Sequence, residues 1–578
     1  MDDNYEYDPQ RVVYFGATDS RNKQIPFGIR ALDRMRHTYV IGKTGMGKST
    51  LLENMAIQDI QNGEGVCFID PHGSTAEKLL EYVPESRIKD VVYFAPFDIE
   101  YPIGFNVMED VGYDKRHLVV AGLMSSFQRI WVDAWSARME YILQNVLLAL
   151  LEYPGTTLID VNRMLINKEF RKKVVEYVTD PIVKRFWTEE FAAYTDRYTQ
   201  EATPAIQNKI GQFASNPLVR NIIAQPKSTF DIREMMDTQK IFIVNLSKGR
   251  MGEQNADLLG SMLTTKIYLA AMSRAEDSAE TLAQLPPFYL YVDEFQSVVN
   301  ASFANILSEA RKYKLSLTIA HQYIEQVDED IRAAIFGNVG SIITFRVGPF
   351  DAEVLKTVFE PTFYAEDLVN LGFAQIYLTL MIDGVGSKPF SAKTLPPVEN
   401  APSNFVGQII ENSRTVYSKP RAEVEKMIGE VDSKIAPGGF EKPASQWPKK
   451  KKKNGDGNGN GNDANNGNTP TQQSVEKKDA VVKDNNQPAG GKKAKKITKS
   501  KEVTPKNGNS ALRDALAEIT KSVKNKEPEK GNKGTVAPQK EQQDTKPSPT
   551  PIKKESAKEE SNSEVSKESL EKLLNVEE

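Results

Sequence analysis

Residues 42–49, GKTGMGKS, fit the pattern G-x-x-x-x-G-K-[ST] at every fixed position. Glycines in such a loop let backbone N–H groups turn inward onto phosphate oxygens, and the N-terminus of the following helix adds partial positive charge. The expected nucleotide-binding residues are Gly42, Lys43, Thr44, Gly45, Met46, Gly47, Lys48, Ser49 and Thr50. Lys48 is expected to reach the β- and γ-phosphates of ATP, and the Ser49 hydroxyl to ligate Mg²⁺. A chance glycine-rich turn is the plain alternative. The flanks argue against it, because a strand pattern, HTYVI, precedes the loop and a helix pattern, STLLENMAIQ, follows.

Hydrolysis needs a carboxylate on the metal side and a base for water. FYLYVDE at 288–294 supplies both after five apolar residues. Asp293 is the expected Mg²⁺-side acid and Glu294 the expected catalytic base. Further on, SEARKYKLSLTIAHQ at 308–322 closes a helix with Arg311 and ends an apolar strand with Gln322. An amide at that strand tip can sense the γ-phosphate. Arg311 cannot easily reach its own nucleotide but can face a neighbouring subunit's, as trans arginines do. Arg346, in IITFRVG, is a second candidate for that role, and a surface ion pair is the ordinary alternative for both. Asp70 and His72, in FIDPHG, are expected near the phosphates because ligands gather at the C-terminal edge of a parallel sheet. One cysteine and four histidines without ligand spacing exclude a structural zinc site. Cys67, inside the apolar run GVCFID, reads as an inert core thiol.

The elements that must hold these residues are legible as pattern. Residues 37–108 alternate short apolar runs with helical stretches, which is βαβ order and implies a parallel sheet. Residues 109–225 carry almost nothing strand-like, so an all-α insertion is expected there. From 226 to 400 strand–helix alternation resumes with KIFIVNLS, FYLYVDE, LSLTIAHQ, GSIITFRV and IYLTLMID. The predicted class is α/β: one parallel-sheet motor domain interrupted by a helical one. Residues 1–36 are expected to pack on it as a strand and loop segment, and 401–440 to extend it.

Charge divides the chain. Of the 74 Lys and Arg and 78 Asp and Glu, 29 and 21 fall in 441–578, giving that segment +8 and leaving the first 440 residues at −12. The motor part therefore has no global basic signature, and any nucleic-acid surface must be local. SKGRMGEQN after Leu246, with Lys248 and Arg250, is one such place, an ordinary surface loop being the alternative. The Lys- and Asn-rich segment 441–578 cannot bury enough apolar surface to order itself and is expected to be a disordered tail. Within it, 510–523 and 566–578 have leucines at helical spacing that suit transient or docking helices. Lysine clusters at 449–453 and 492–499 suit anionic lipid, DNA or mere solubility. No run approaches the ~18 apolar residues of a membrane span. The expected location is the cytoplasm, with peripheral attachment at the inner face of the cell membrane as an extension of that reading.

The order GKTGMGKST, FIDPHG, helical insertion, IVNLSKG, FYLYVDEFQ, ARKY and AHQ resembles the coupling-protein ATPases of type IV secretion and conjugation, the TraG/TraD group of the FtsK/HerA superfamily. The resemblance runs from about residue 10 to 400. It implies a RecA-like P-loop domain assembling as a homo-hexamer, with an all-α domain that engages DNA or a DNA–relaxase substrate. It also implies a Walker B pair at Asp293 and Glu294, a sensor at Gln322 and a proposed finger at Arg311. Secretion-channel membrane proteins are the implied docking partners; family members usually begin with transmembrane helices, which this sequence does not show. Two other readings stay open: a HerA-like soluble double-stranded DNA translocase, and a nucleotide-gated adaptor for protein substrates.

Overall fold

Apolar runs bounded by loop residues become the strands of one sheet. The computed structural model describes residues 7–19, 23–300, 303–399 and 404–434, all in one unit. Expectations about the tail from 441 onward, its helical stretches and its lysine clusters lie outside the described residues. In chain order the strands are β1 (Val12–Thr18), β2 (Pro26–Arg30), β3 (Thr38–Ile41), β4 (Gly65–Asp70), β5 (Val91–Phe94), β6 (Ile241–Asn245) and β7 (Phe288–Val292). There follow β8 (Leu315–His321), β9 (Ser341–Thr344), β10 (Gln375–Thr379), the short pair β11 (Met381–Ile382) and β12 (Val385–Gly386), and β13 (Phe390–Thr394). The main sheet has the order β2-β1-β13-β10-β9-β3-β8-β7-β4-β6-β5.

From β9 to β5 every pairing is parallel, and from β9 to β2 every pairing is antiparallel. The parallel strands are buried at every position in β3, β4, β6, β7 and β8, as their unbroken apolar sequences require. β10, by contrast, alternates buried and half-buried residues, the pattern of a sheet covered on one face. Successive residues of β4 enter different cores: Val66 and Phe68 join one, Cys67 and Ile69 the other. Helices cover both faces of the parallel half. Lys48–Gln61 lies in the first core with Leu51, Leu52 and Met55, and Glu253–Ser273 lies in the second with Leu258, Leu259 and Met262.

Between β5 and β6 the described structure from Tyr113 to Asp237 is helical. The sequence marks its breaks. Ser136, Asn167 and Asn216 cap helices by accepting the N–H of Met139, Phe170 and Leu218; Pro217 begins the helix that Asn216 caps, and Pro181 and Pro204 begin others. The first long helix, Arg116–Ile130, packs against Glu253–Ser273. A Cβ at Gly122 would lie 2.3 Å from Thr265 Cγ2, so glycine permits the approach. After β13, helix Val406–Tyr417 covers the β5 edge, with Ser413 Oγ accepting from Tyr93 N at 2.9 Å. Helix Arg421–Lys434 follows. Among the described residues no helix is long and apolar enough to cross a membrane.

Candidate nucleotide site

The phosphate-loop sequence connects β3 to helix Lys48–Gln61 at the C-terminal edge of the parallel sheet. Gly42 sits so close to the next strand's exit that a Cβ there would lie 2.5 Å from Phe345 Cβ. Gly47, at φ 112°, enters the helix in a conformation that disfavours side chains. Lys48 folds back across the loop, donating to Gly42 O at 2.7 Å. Burial lowers the pKa of its ammonium, and the nearby Glu294 and Asp293 charges oppose that shift. Strands from the antiparallel half brace the loop: Ala374 N donates to Met46 O at 3.3 Å.

The acids arrive on β7. Asp293 is buried, and its Oδ2 accepts from Ser49 Oγ at 2.6 Å. Its carboxyl is held above the ordinary range by burial; the Ser49 hydrogen bond opposes this, and Glu294 and Asp70 add to it. Glu294 sits in the left-handed region at φ 45°, a strain on the order of 1 kcal/mol for such a residue. Its two oxygens accept from two side-chain amides, Oε1 from Gln322 at 2.9 Å and Oε2 from Gln296 at 2.7 Å. Gln322 gets there because β8 lies between β3 and β7, so its tip faces both the loop and the acids. Among the described residues neither Asp293 nor Glu294 has an ion-pair partner, and no cluster of three or more metal-ligating side chains occurs. Two hard oxygens, Ser49 Oγ and Asp293 Oδ2, beside an acidic pair that makes no direct ion pair among the described residues fit a magnesium ion that takes few protein ligands and completes its shell with phosphate and water.

Other expected residues fall elsewhere. Arg311 is exposed in the turn Ala310–Tyr313, ahead of β8, and its charge acts on His37 at the start of β3. That is the opposite edge of the sheet, about 20 Å from the loop along a seven-residue strand. Arg346 lies on its own loop, its backbone O accepting from Lys43 N at 2.8 Å and its Nη2 3.3 Å from Met46 Sδ. Asp70 lies close enough to Asp293 for its charge to raise that carboxyl's pKa, but its own carboxylate serves the following turn. Its carboxylate accepts from His72 N, Thr75 N and Ala76 N at 2.8–3.0 Å, capping helix Ser74–Leu79, and the His72 side chain is exposed. Cys67 is buried, with its thiol pushed well up by burial. Lys248 and Arg250 occupy a short helix, Lys248–Met251, paired with Asp257 and Glu77.

Sequence reading missed Gln296 and Arg129. Gln296 had a local signal, an amide two residues after the acid pair. Arg129 had none. It lies in helix Arg116–Ile130, yet its guanidinium donates to the backbone oxygens of Gln296 and Val299.

The family model for the DNA-binding domain of type IV secretion-system coupling proteins matches residues 23–355, well over half of the chain. The chain belongs to that family. No curated protein matches it. Among solved structures it is similar to the bacterial conjugative coupling protein TrwBdeltaN70, at 15% identity and a TM-score of 0.47, covering 67% of this chain and 90% of that one. The plasmid coupling protein TrwB in complex with ADP and Mg²⁺ is similar at 16% and 0.49, covering 70% and 99%. VirB4 of Thermoanaerobacter pseudethanolicus is similar at 13% and 0.43, covering 68% and 97%. The mostly parallel sheet with its phosphate loop and helical insertion is therefore the fold of a type IV secretion-system coupling protein.

Proposed function

We propose that this chain hydrolyses ATP to drive DNA, or a DNA–protein substrate, into a type IV secretion machinery. One observation supports this above others: loop lysine, loop serine, strand-end acids and the β8 amide meet at one sheet edge, with Ser49 hydrogen-bonded to Asp293 and Gln322 to Glu294. The loop N–H groups and Lys48 hold the triphosphate. Mg²⁺, when bound by Ser49 and Asp293, supplies charge neutralisation for the phosphates. Glu294 takes the proton of the attacking water, and the Gln322 amide fixes that carboxylate and reports on the γ-phosphate. A base, rather than a bare switch, implies turnover and hence work.

The proposed organisation is a motor domain at 37–108 and 226–400 and an all-α domain at 109–225, with 1–36 and 401–440 packed around the motor. Six copies would form a ring in which Arg311, too far from its own loop, faces a neighbour's nucleotide, while Arg346 acts on its own. The all-α domain would engage DNA without sequence readout, so that binding falls steeply with salt. A relaxase-like or other secreted protein and the membrane proteins of the secretion channel are the proposed partners, with the chain at the inner face of the membrane.

ATP turnover measured alone, with single-stranded DNA, with double-stranded DNA and with a relaxase-like protein tests this. Stimulation by DNA is expected. A rate unchanged by either DNA form but raised by protein would replace the DNA motor with an adaptor for protein substrates.

A further inference from the structure

The base is tied to the helical insertion. Segment Phe295–Asn300, which follows Glu294, is gripped from two helices. Ser261 Oγ donates to Val298 O at 3.1 Å, and Asn300 Nδ2 donates to Thr265 Oγ1 at 3.1 Å and to Ser126 Oγ at 3.3 Å. Arg129, one turn beyond Ser126, donates to the oxygens of Gln296 and Val299 on either side. Burial dominates its environment and lowers its pKa, and among the described residues no carboxylate pairs with it. Among the described residues its hydrogen bonds go to this loop alone. The helix that carries it is itself fixed within the insertion, since Phe127 stacks on Trp131 at 4.4 Å and Trp131 on Phe213 at 6.0 Å.

The loop in turn holds the base. Gln296, whose backbone oxygen Arg129 grips, points its Nε2 at Glu294 Oε2, 2.7 Å away. Among the described residues the same amide's Oε1 is buried without a partner, so the Glu294 contact and the backbone grip set its orientation. Glu294 needs such support because its own backbone is strained.

We propose that Arg129 and Gln296 are positioning residues for hydrolysis: the insertion holds the catalytic carboxylate through the chain Arg129, Gln296 backbone, Gln296 amide, Glu294. The proposal rests on the reading of Glu294 as base. A substrate that shifts the insertion then shifts the base directly, without passing through the phosphate loop.

The test is ATP turnover and fluorescent-nucleotide affinity for full-length Arg129→Ala, Gln296→Ala and their double variant, with Arg129→Lys and Glu294→Gln beside them. Each alanine variant should lower kcat about tenfold or more, the scale of a displaced catalytic group, with nucleotide affinity within about twofold of wild type. The double variant should be no worse than the poorer single, because both act through one path. Unchanged kcat in Gln296→Ala, or losses that multiply in the double variant, would overturn the relay. If Arg129→Ala does not fold, Arg129→Lys takes its place, since one ammonium cannot grip both oxygens and the same kcat loss is expected. Glu294→Gln separates the two ideas. Dead Glu294→Gln with normal Gln296→Ala sinks only the relay, whereas normal turnover in Glu294→Gln sinks the base assignment itself.

Discussion

Arg34 and Asp59 form a fully buried ion pair, and its disruption should loosen the site from behind. Asp59 lies on Lys48–Gln61, the helix that begins at the phosphate loop, and both partners are about 1% exposed. The two guanidinium nitrogens meet the two carboxylate oxygens at 2.7 Å each. Tyr291 Oη accepts from Arg34 at 2.6 Å and donates to Asp59, and the guanidinium lies 4.0 Å from the centroid of Tyr289. Those tyrosines are on β7, just ahead of Asp293, so the pair joins the loop helix to the acid strand. Asp59→Asn keeps the shape and removes the charge, stranding a guanidinium with no counter-ion, for which about 3–5 kcal/mol is expected. Arg34→Met with Asp59→Leu removes both charges and should recover most of that loss, because apolar replacement of a buried pair is often neutral or better. Urea unfolding of Arg34→Met, Asp59→Leu and the double variant gives the cycle, with Asp59→Asn measured beside them. A loss below about 1 kcal/mol in Asp59→Asn, or a double variant as weak as the sum of its singles, would refute the view that desolvated charge governs this junction.

Lys48→Ala should abolish ATP binding or turnover, since it removes the cation over the loop; wild-type turnover would contradict the phosphate-loop assignment. Glu294→Gln should keep nucleotide yet lose roughly 10²–10⁴-fold in turnover, the range for a positioned base, as read by steady-state hydrolysis beside nucleotide binding. Arg311→Ala and Glu294→Gln subunits, each inactive alone, should regain some activity when mixed, because a few interfaces then pair an intact base with an intact arginine; mixtures without activity would argue against a trans contact. Burial lowers His37 to about 4 and His321 to about 3 in the folded chain. Both stay neutral while the unfolded chain takes up protons near 6.5, so their effect is absent above that value and stability falls as pH drops toward 4 and 3. From pH 7 to 5 the two should cost about 4 kcal/mol, and the urea midpoint in His37→Asn should fall less over that interval than in wild type.

What the sequence made legible was whatever lies within one element or its flanks. The phosphate loop is eight contiguous residues whose roles follow from backbone freedom, and Asp293 and Glu294 announce themselves because a buried parallel strand reads as an apolar run ended by charge. The antiparallel half was legible only in part: IYLTLMID marks β10 as a strand, but the bracing of Met46 by Ala374 just ahead of it leaves no local mark. Arg311 and Arg346 looked equivalent as text, one helix-closing and one strand-ending, and only the direction of β8 and β9 puts them at opposite edges of the sheet. The insertion is the most instructive case. Its helical periodicity reads as a separate domain, because the pattern changes abruptly at both ends. Packing recognises no such border: Phe127 and Leu147 belong to the same apolar core as Ile69, Leu290 and Leu263. A periodicity change marks where the chain leaves the sheet, not where packing ends, and a residue such as Arg129 can therefore belong to one region by sequence and to the loop after Glu294 by contact.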